Sequence, residues 1–168
     1  ESDRDFDGPL HNKTGPIHVQ RYAPSQWPGF TRGVMTAVER AGWRNIQDQN
    51  GVFSDGFAPV AHSHTDSQRM GPAWRYLTAE VRRRSNLTIM GEIDVERVVF
   101  DGTRAVGVEA SRGGERFRLN ARNVVLSCGA LQSPALLMRS GVGPARELAA
   151  LGIEVGADRA GVGKHLME

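Results

Sequence analysis

Gly129-Ala130-Leu131-Gln132-Ser133-Pro134-Ala135-Leu136-Leu137-Met138-Arg139-Ser140-Gly141-Val142-Gly143 is the stretch whose reading decides the fold. Immediately before it, Val124-Val125-Leu126-Ser127-Cys128 is nearly all apolar, the pattern of a strand covered on both faces. Ser133 is expected to cap a helix, with Pro134 at its first position, where a missing N–H needs no partner. Gly141 is expected to end that helix. A strand running into a helix through Gly129-Ala130 is an α/β element. In open α/β sheets ligands lie beyond the carboxyl ends of strands, and small residues there let a flat ligand or another backbone come close. On the residues alone, a close strand–helix packing turn with no ligand is an equal reading.

Upstream, the hydrophobic period changes. Val95–Phe100, the Asp101-Gly102 turn, Ala105–Ser111 with Val106, Val108 and Ala110 on one face, the Gly113-Gly114 turn, and Phe117, Leu119 and Ala121 predict a three-strand antiparallel meander. Leu87–Met90 predicts one more short strand. Pro72 to Arg84 predicts a helix with Ala73, Leu77 and Val81 on one face and Arg82-Arg83-Arg84 as its solvated, positively charged end. Phe30, Val34, Val38 and Ala41 predict an earlier helix that stops at Gly42. The rest of residues 1–67 is rich in turn formers, with Ile17–Tyr22 alternating as a short strand would. Downstream, a short helix starting near Pro144 is expected to pack Leu148 and Leu151 and to stop at Gly152.

Composition bounds the class. With 168 residues, 39% hydrophobic and 24% charged, the chain reads as soluble and globular. It has no apolar run near the ~20 residues of a membrane span and no visible signal peptide. The net charge of +2 is too small to imply nucleic acid or an anionic membrane, and the basic residues are nearly all arginine. Cys128 is the single cysteine, so no intrachain disulfide forms, and a cytoplasmic location is expected. Glu1-Ser2-Asp3-Arg4 lacks a methionine, and Lys164-His165-Leu166-Met167-Glu168 carries no terminator signal, so both ends read as cuts in a longer protein.

Taken together, Gly129-Ala130, Ser133-Pro134, Leu136-Leu137 and Ser140-Gly141-Val142-Gly143 resemble the second signature of the glucose–methanol–choline (GMC) family of flavin oxidoreductases. Arg84-Ser85-Asn86-Leu87-Thr88-Ile89 resembles the family's Arg-x-Asn-Leu-Thr-Val segment, and Asp101–Glu109 resembles its hairpin. Gly152-Ile153, Gly161-Val162-Gly163-Lys164 and Leu166 resemble the run that ends in Gly-Val-Gly-Lys-Asn-Leu-x-Asp-His. Thr14-Gly15-Pro16-Ile17 is similar to the end of its His-Gly-x-x-Gly-Pro segment.

The resemblance implies a mixed α/β fold: part of a Rossmann-like domain that binds flavin adenine dinucleotide (FAD), with an antiparallel meander, plus a piece of the substrate or cap region. It places residues 1–66 with the substrate or cap region, 67–157 in the FAD-binding domain and 158–168 at the crossover to a substrate domain. It implies oxidation of a small-molecule alcohol at its CH–OH group, with hydride passing to the flavin. Val95 matches the family valine whose backbone contacts the adenine, and Gly129 and Ala130 match the strand end beside the adenosine. No Gly-x-Gly-x-x-Gly follows a strand here, and the family's catalytic histidine falls beyond Glu168. The 168 residues alone are therefore expected to be inactive. The competing reading is a noncatalytic α/β module.

Other candidates carry less. His62-Ser63-His64, with His11 and His18, reads as surface loop, because zinc needs three or four placed ligands and no cysteine pair supports them. Trp27, Trp43 and Trp74 read as core or loop anchors. Ser133 lacks the surroundings of a nucleophile, and Cys128, in an apolar strand, is expected to be buried and inert.

Overall fold

A computed structural model of the chain describes residues 1–51 and 53–167. They form two compact units, Glu1–Ile89 and Met90–Glu168. Among the described residues no helix is long and apolar enough to cross a membrane.

In the first unit, β1 (Ser2–Asp3) pairs in parallel with β2 (His18–Val19). Among the described residues a 3-10 turn at Pro24–Gln26 and three α-helices follow: α1 (Gly29–Arg40), α2 (Pro72–Tyr76) and α3 (Ala79–Arg82). Long loops join them, tied by isolated pairings of Gln20 with His62, Asn45 with Phe57 and His64 with Arg69. The helix read from Phe30 to Ala41 is present as α1, and Gly42 follows it at φ +90°. The helix expected over Pro72–Arg84 is broken in two. Thr78 leaves the helical region at ψ 164°, and its hydroxyl accepts the Val81 N–H at 3.3 Å. A threonine that caps a new turn this way competes with continuation of the old one. Leu87–Met90 forms no strand, because no described segment supplies the partner a ladder needs. Trp43 and Trp74 are exposed rather than core.

The second unit holds the expected meander: β3 (Asp94–Asp101), β4 (Arg104–Arg112) and β5 (Glu115–Asn120), antiparallel in that order. Val98 lies opposite Val108, and Val108 opposite Leu119. Gly107 is required there: a Cβ would run into the Leu119 carbonyl on β5. Helix α4 (Gly129–Arg139) packs on β3. After it come β6 (Val142–Gly143), α5 (Ala145–Ala150) and β7 (Ala157–Asp158), with β6 and β7 parallel. The core is Val98, Ala110, Leu136 and Leu148, the last fully buried. Leu151, expected to pack beside Leu148, is exposed.

The decisive stretch folds differently from its reading in two respects. Residues 124–128 form no strand, Val125 is 84% exposed and Cys128 is exposed rather than buried. An apolar strand is stable only when neighbours pair its backbone and cover its faces, and no described segment does so. The helix also begins one turn early, at Gly129. Ser133 is therefore inside it, and its Oγ accepts the N–H of Cys128 at 3.0 Å. Pro134 lies within the helix as well, which removes the N–H that would otherwise bond the Ala130 carbonyl.

Candidate functional site

Helix α4 is held firmly at its carboxyl end. The Ser140 hydroxyl donates to the Leu136 carbonyl at 2.6 Å and accepts the Val98 N–H at 2.8 Å, joining the helix end to the middle of β3. Arg139 reaches the start of the same strand, its Nε 3.1 Å from the Glu96 carbonyl and its Nη2 3.5 Å from that of Val95. Leu136 is buried between these anchors. The amino end is open. Gly129 takes φ +82°, a conformation that disfavours any side chain, and a Cβ there would meet nothing within 4 Å. Ala130 is exposed. The first backbone N–H groups of a helix have no partner within it, and its dipole is positive there, so this end accepts oxygen atoms of a ligand.

The three residues singled out from the sequence therefore lie at two places. Gly129 and Ala130 share the open amino end of α4. Val95, half-buried and opposite Ala110, stands beside Arg139 at the other end. Ten residues of helix separate Gly129 from Arg139, a rise of about 15 Å. A side chain at Gly129 would not strike the helix that follows; a substitution meets backbone strain instead. Nothing lies within 4 Å of a Cβ built on Gly129, so no carboxylate or imidazole stands against that position. It can bind and orient, and it holds no general base.

A second cluster escaped the sequence reading. In the first unit Arg21 places Nη1 3.0 Å from both oxygens of Asp3 and Nη2 2.7 Å from Asp48 Oδ1. His11 Nε2 lies 2.7 Å from Asp48 Oδ2. Its Nδ1 is 3.0 Å from Asp3 Oδ2 but off the hydrogen-bond direction. The guanidinium also lies 4.5 Å over the Phe6 ring. Burial pushes the Asp3 carboxyl up. The Arg21 hydrogen bond, the backbone N–H groups of Asp5 and Phe6 and the Arg21 charge outweigh burial and hold the carboxyl below the usual carboxylate range. Ligand atoms of Glu1, Asp3 and His11 come within 4.8 Å of one another, yet both Asp3 oxygens already face a fixed cation, which opposes a metal ion. The cluster ties β1, the end of β2 and two loops together. Positions 3, 11, 21 and 48 follow no period, so no pattern in the chain announces it.

The histidines first read as surface loop also divide. His62 is exposed, but His64 is buried and stacked on Tyr22 at 4.5 Å.

A family model described as GMC oxidoreductase matches residues 2–168. The chain is 46% identical over 169 residues to the 5-(hydroxymethyl)furfural oxidase of Methylovorus sp. (strain MP688), covering 100% of this chain and 32% of that protein. It is 38% identical over 159 residues to the oxygen-dependent choline dehydrogenase of Burkholderia multivorans, covering 94% and 28% respectively. Among solved structures it is similar to pyridoxine 4-oxidase from Mesorbium loti, with a TM-score of 0.83 and 32% identity over 89% of this chain and 29% of that one. The chain thus spans about a third of the length of the curated relatives it matches.

Proposed function

This chain belongs to the GMC oxidoreductase family, and from that premise we propose that it is part of an FAD-dependent enzyme oxidising the CH–OH group of a small alcohol. The observation that carries this reading is the unbroken family match over residues 2–168, seconded by 46% identity to a protein named as an oxidase of 5-(hydroxymethyl)furfural.

The residues present suit the adenosine half of FAD. Gly129 and Ala130 offer an end of α4 with no side chain beyond a methyl and with unpaired N–H groups, where ribose or phosphate oxygens can approach. The Val95 backbone takes the adenine, at the β3 edge that Arg139 and Ser140 fix against α4. Bound FAD supplies the hydride acceptor, and the protein's part is to hold and orient it. The general base lies outside residues 1–168. Residues 124–128, nearly all apolar and here exposed at Val125, Ser127 and Cys128, become a covered strand when the rest of the flavin domain pairs with them. On this reading 67–157 belong to that domain, 1–66 to the substrate side, and 158–168 to the crossover.

Gly129→Val in the full-length protein tests the site. A residue at φ +82° costs about 1–2 kcal/mol of strain, so the apo melting temperature drops modestly. The flavin-induced rise in melting temperature should disappear, since that rise follows occupancy. A normal rise would show that Gly129 is not at the cofactor. Flavin retained by the wild type but not bleached by any primary alcohol without oxygen would overturn the reaction class.

A further inference from the structure

We propose that an open cleft of about 420 Å³ in the first unit, walled by Lys13, His18, Gln20, His64 and Arg75, binds a small oxyanion, a carboxylate or a phosphate. Its volume suits a small organic acid or a phosphate ester. None of its residues is among the flavin contacts assigned above.

Arg75, on α2, is half-buried. Its Nε is shut off from solvent without a hydrogen-bond partner, and among the described residues its guanidinium bonds nothing and pairs with no carboxylate. A guanidinium partly removed from water and left unpaired is costly, so a counter-anion is expected. The two carboxylates that line the cleft are already engaged: Asp3 is 3.0 Å from Arg21, and Asp66 is 3.0 Å from Arg4. Lys13 adds a second charge without a carboxylate. Its Nζ donates to the Asp3 carbonyl at 2.8 Å and the Arg4 carbonyl at 3.4 Å, which leaves one of its three N–H groups over.

His64 lines the cleft without adding a donor. Arg4 donates to Gln20 Oε1 at 2.7 Å, which turns the Gln20 amide nitrogen toward His64 Nδ1 at 3.0 Å. The Thr65 carbonyl, 2.7 Å from Nδ1, takes the proton of that nitrogen, so the enclosed Nε2 carries a lone pair and offers an oxyanion no N–H. Two cations without a carboxylate, one of them half-buried, thus line one cleft. An arginine fork matches the paired oxygens of a carboxylate or phosphate, which defines the ligand class.

Calorimetric titration of the full-length protein with inorganic phosphate and, separately, with succinate at matched ionic strength tests this. One of the two should bind saturably at one site, and the arm that saturates identifies the oxyanion. Arg75→Gln should weaken it about tenfold or more, as loss of a charge-assisted hydrogen bond requires. Arg83→Gln, at the solvated end after α3, should leave it unchanged. Failure of both probes to saturate overturns the proposal, as does wild-type affinity in Arg75→Gln. If Arg75→Gln does not fold, Lys13→Gln stands in its place. A several-fold loss there supports the site, and unchanged affinity rejects it.

Discussion

Among the described residues, the unit Met90–Glu168 buries the side chains of Val98, Ala110, Leu136 and Leu148, whereas the unit Glu1–Ile89 buries those of Asp3, Gln20, Asp48 and His64 together with His11 and Arg21. The difference follows from the elements each has to pack. A meander and an amphipathic helix present continuous apolar faces, and non-directional burial holds them. The loop-rich unit leaves its helical apolar face, Phe30 and Val34 on α1, uncovered. α1 buries no residue, and Phe30 and Trp43 remain exposed. What orders its interior is directional: ion pairs and hydrogen bonds whose geometry must be met residue by residue. One interior tolerates changes of shape within limits; the other depends on charge.

Breaking the charged interior should have the largest effect. Asp3→Asn leaves Arg21 buried with one of its three carboxylate partners gone, a loss of about 3–5 kcal/mol when one partner of a buried pair is removed. Urea unfolding of the intact protein measures the loss, and amide exchange should quicken at 1–21 and 44–51. An unchanged midpoint would mean the polar interior is incidental. The same carboxylate sets a pH dependence. Its folded pKa lies below the ordinary value of 3.8, so its stabilisation is fully present above 3.8 and drains away as the pH falls through the lower folded value. Exchange at 1–21 should respond in that acid window before exchange in β3–β5.

Leu148→Ala attacks the other interior. Removing a fully buried leucine costs about 2–5 kcal/mol, according to how far the cavity collapses. The loss should be the same at neutral and mildly acidic pH, because nothing ionisable is involved. A pH-dependent loss would erase the contrast between the two interiors. Arg97→Ala is the smallest change. Arg97 Nε and Nη2 bond Glu109 at 2.7 and 2.9 Å, which raises the arginine and holds the glutamate below its usual range. Both groups are solvated, so the unfolding midpoint should not move measurably, at low salt or high.

Much of the second unit was legible from the chain. Asp101-Gly102 and Gly113-Gly114 mark the two turns, and period-two alternation between them marks the strands, because both signals act over a few residues. Gly141 and Gly152 end helices where expected, at φ +83° and +70°. Misreadings cluster where the outcome depends on a distant partner. Residues 124–128 carry strand composition without a strand beside them. Ser133 has the composition of a cap, yet its hydroxyl serves Cys128 from inside the helix. Thr78 looked like the middle of a helix and instead restarts one.

The amino-acid sequence by itself determined the turns, the meander, the amphipathic helices and the family, since each rests on local backbone preference or on residues close in the chain. Only the tertiary structure decided that Gly129 opens at a helix end about 15 Å of helix away from Arg139, Val95's neighbour. It alone brought Asp3, His11, Arg21 and Asp48 into one cluster, and left Arg75 beside a cleft with its charge unanswered. Ion pairs and buried donors are chosen by proximity in space, and positions 3, 21, 48 and 75 acquire that proximity only when the loops between them have closed.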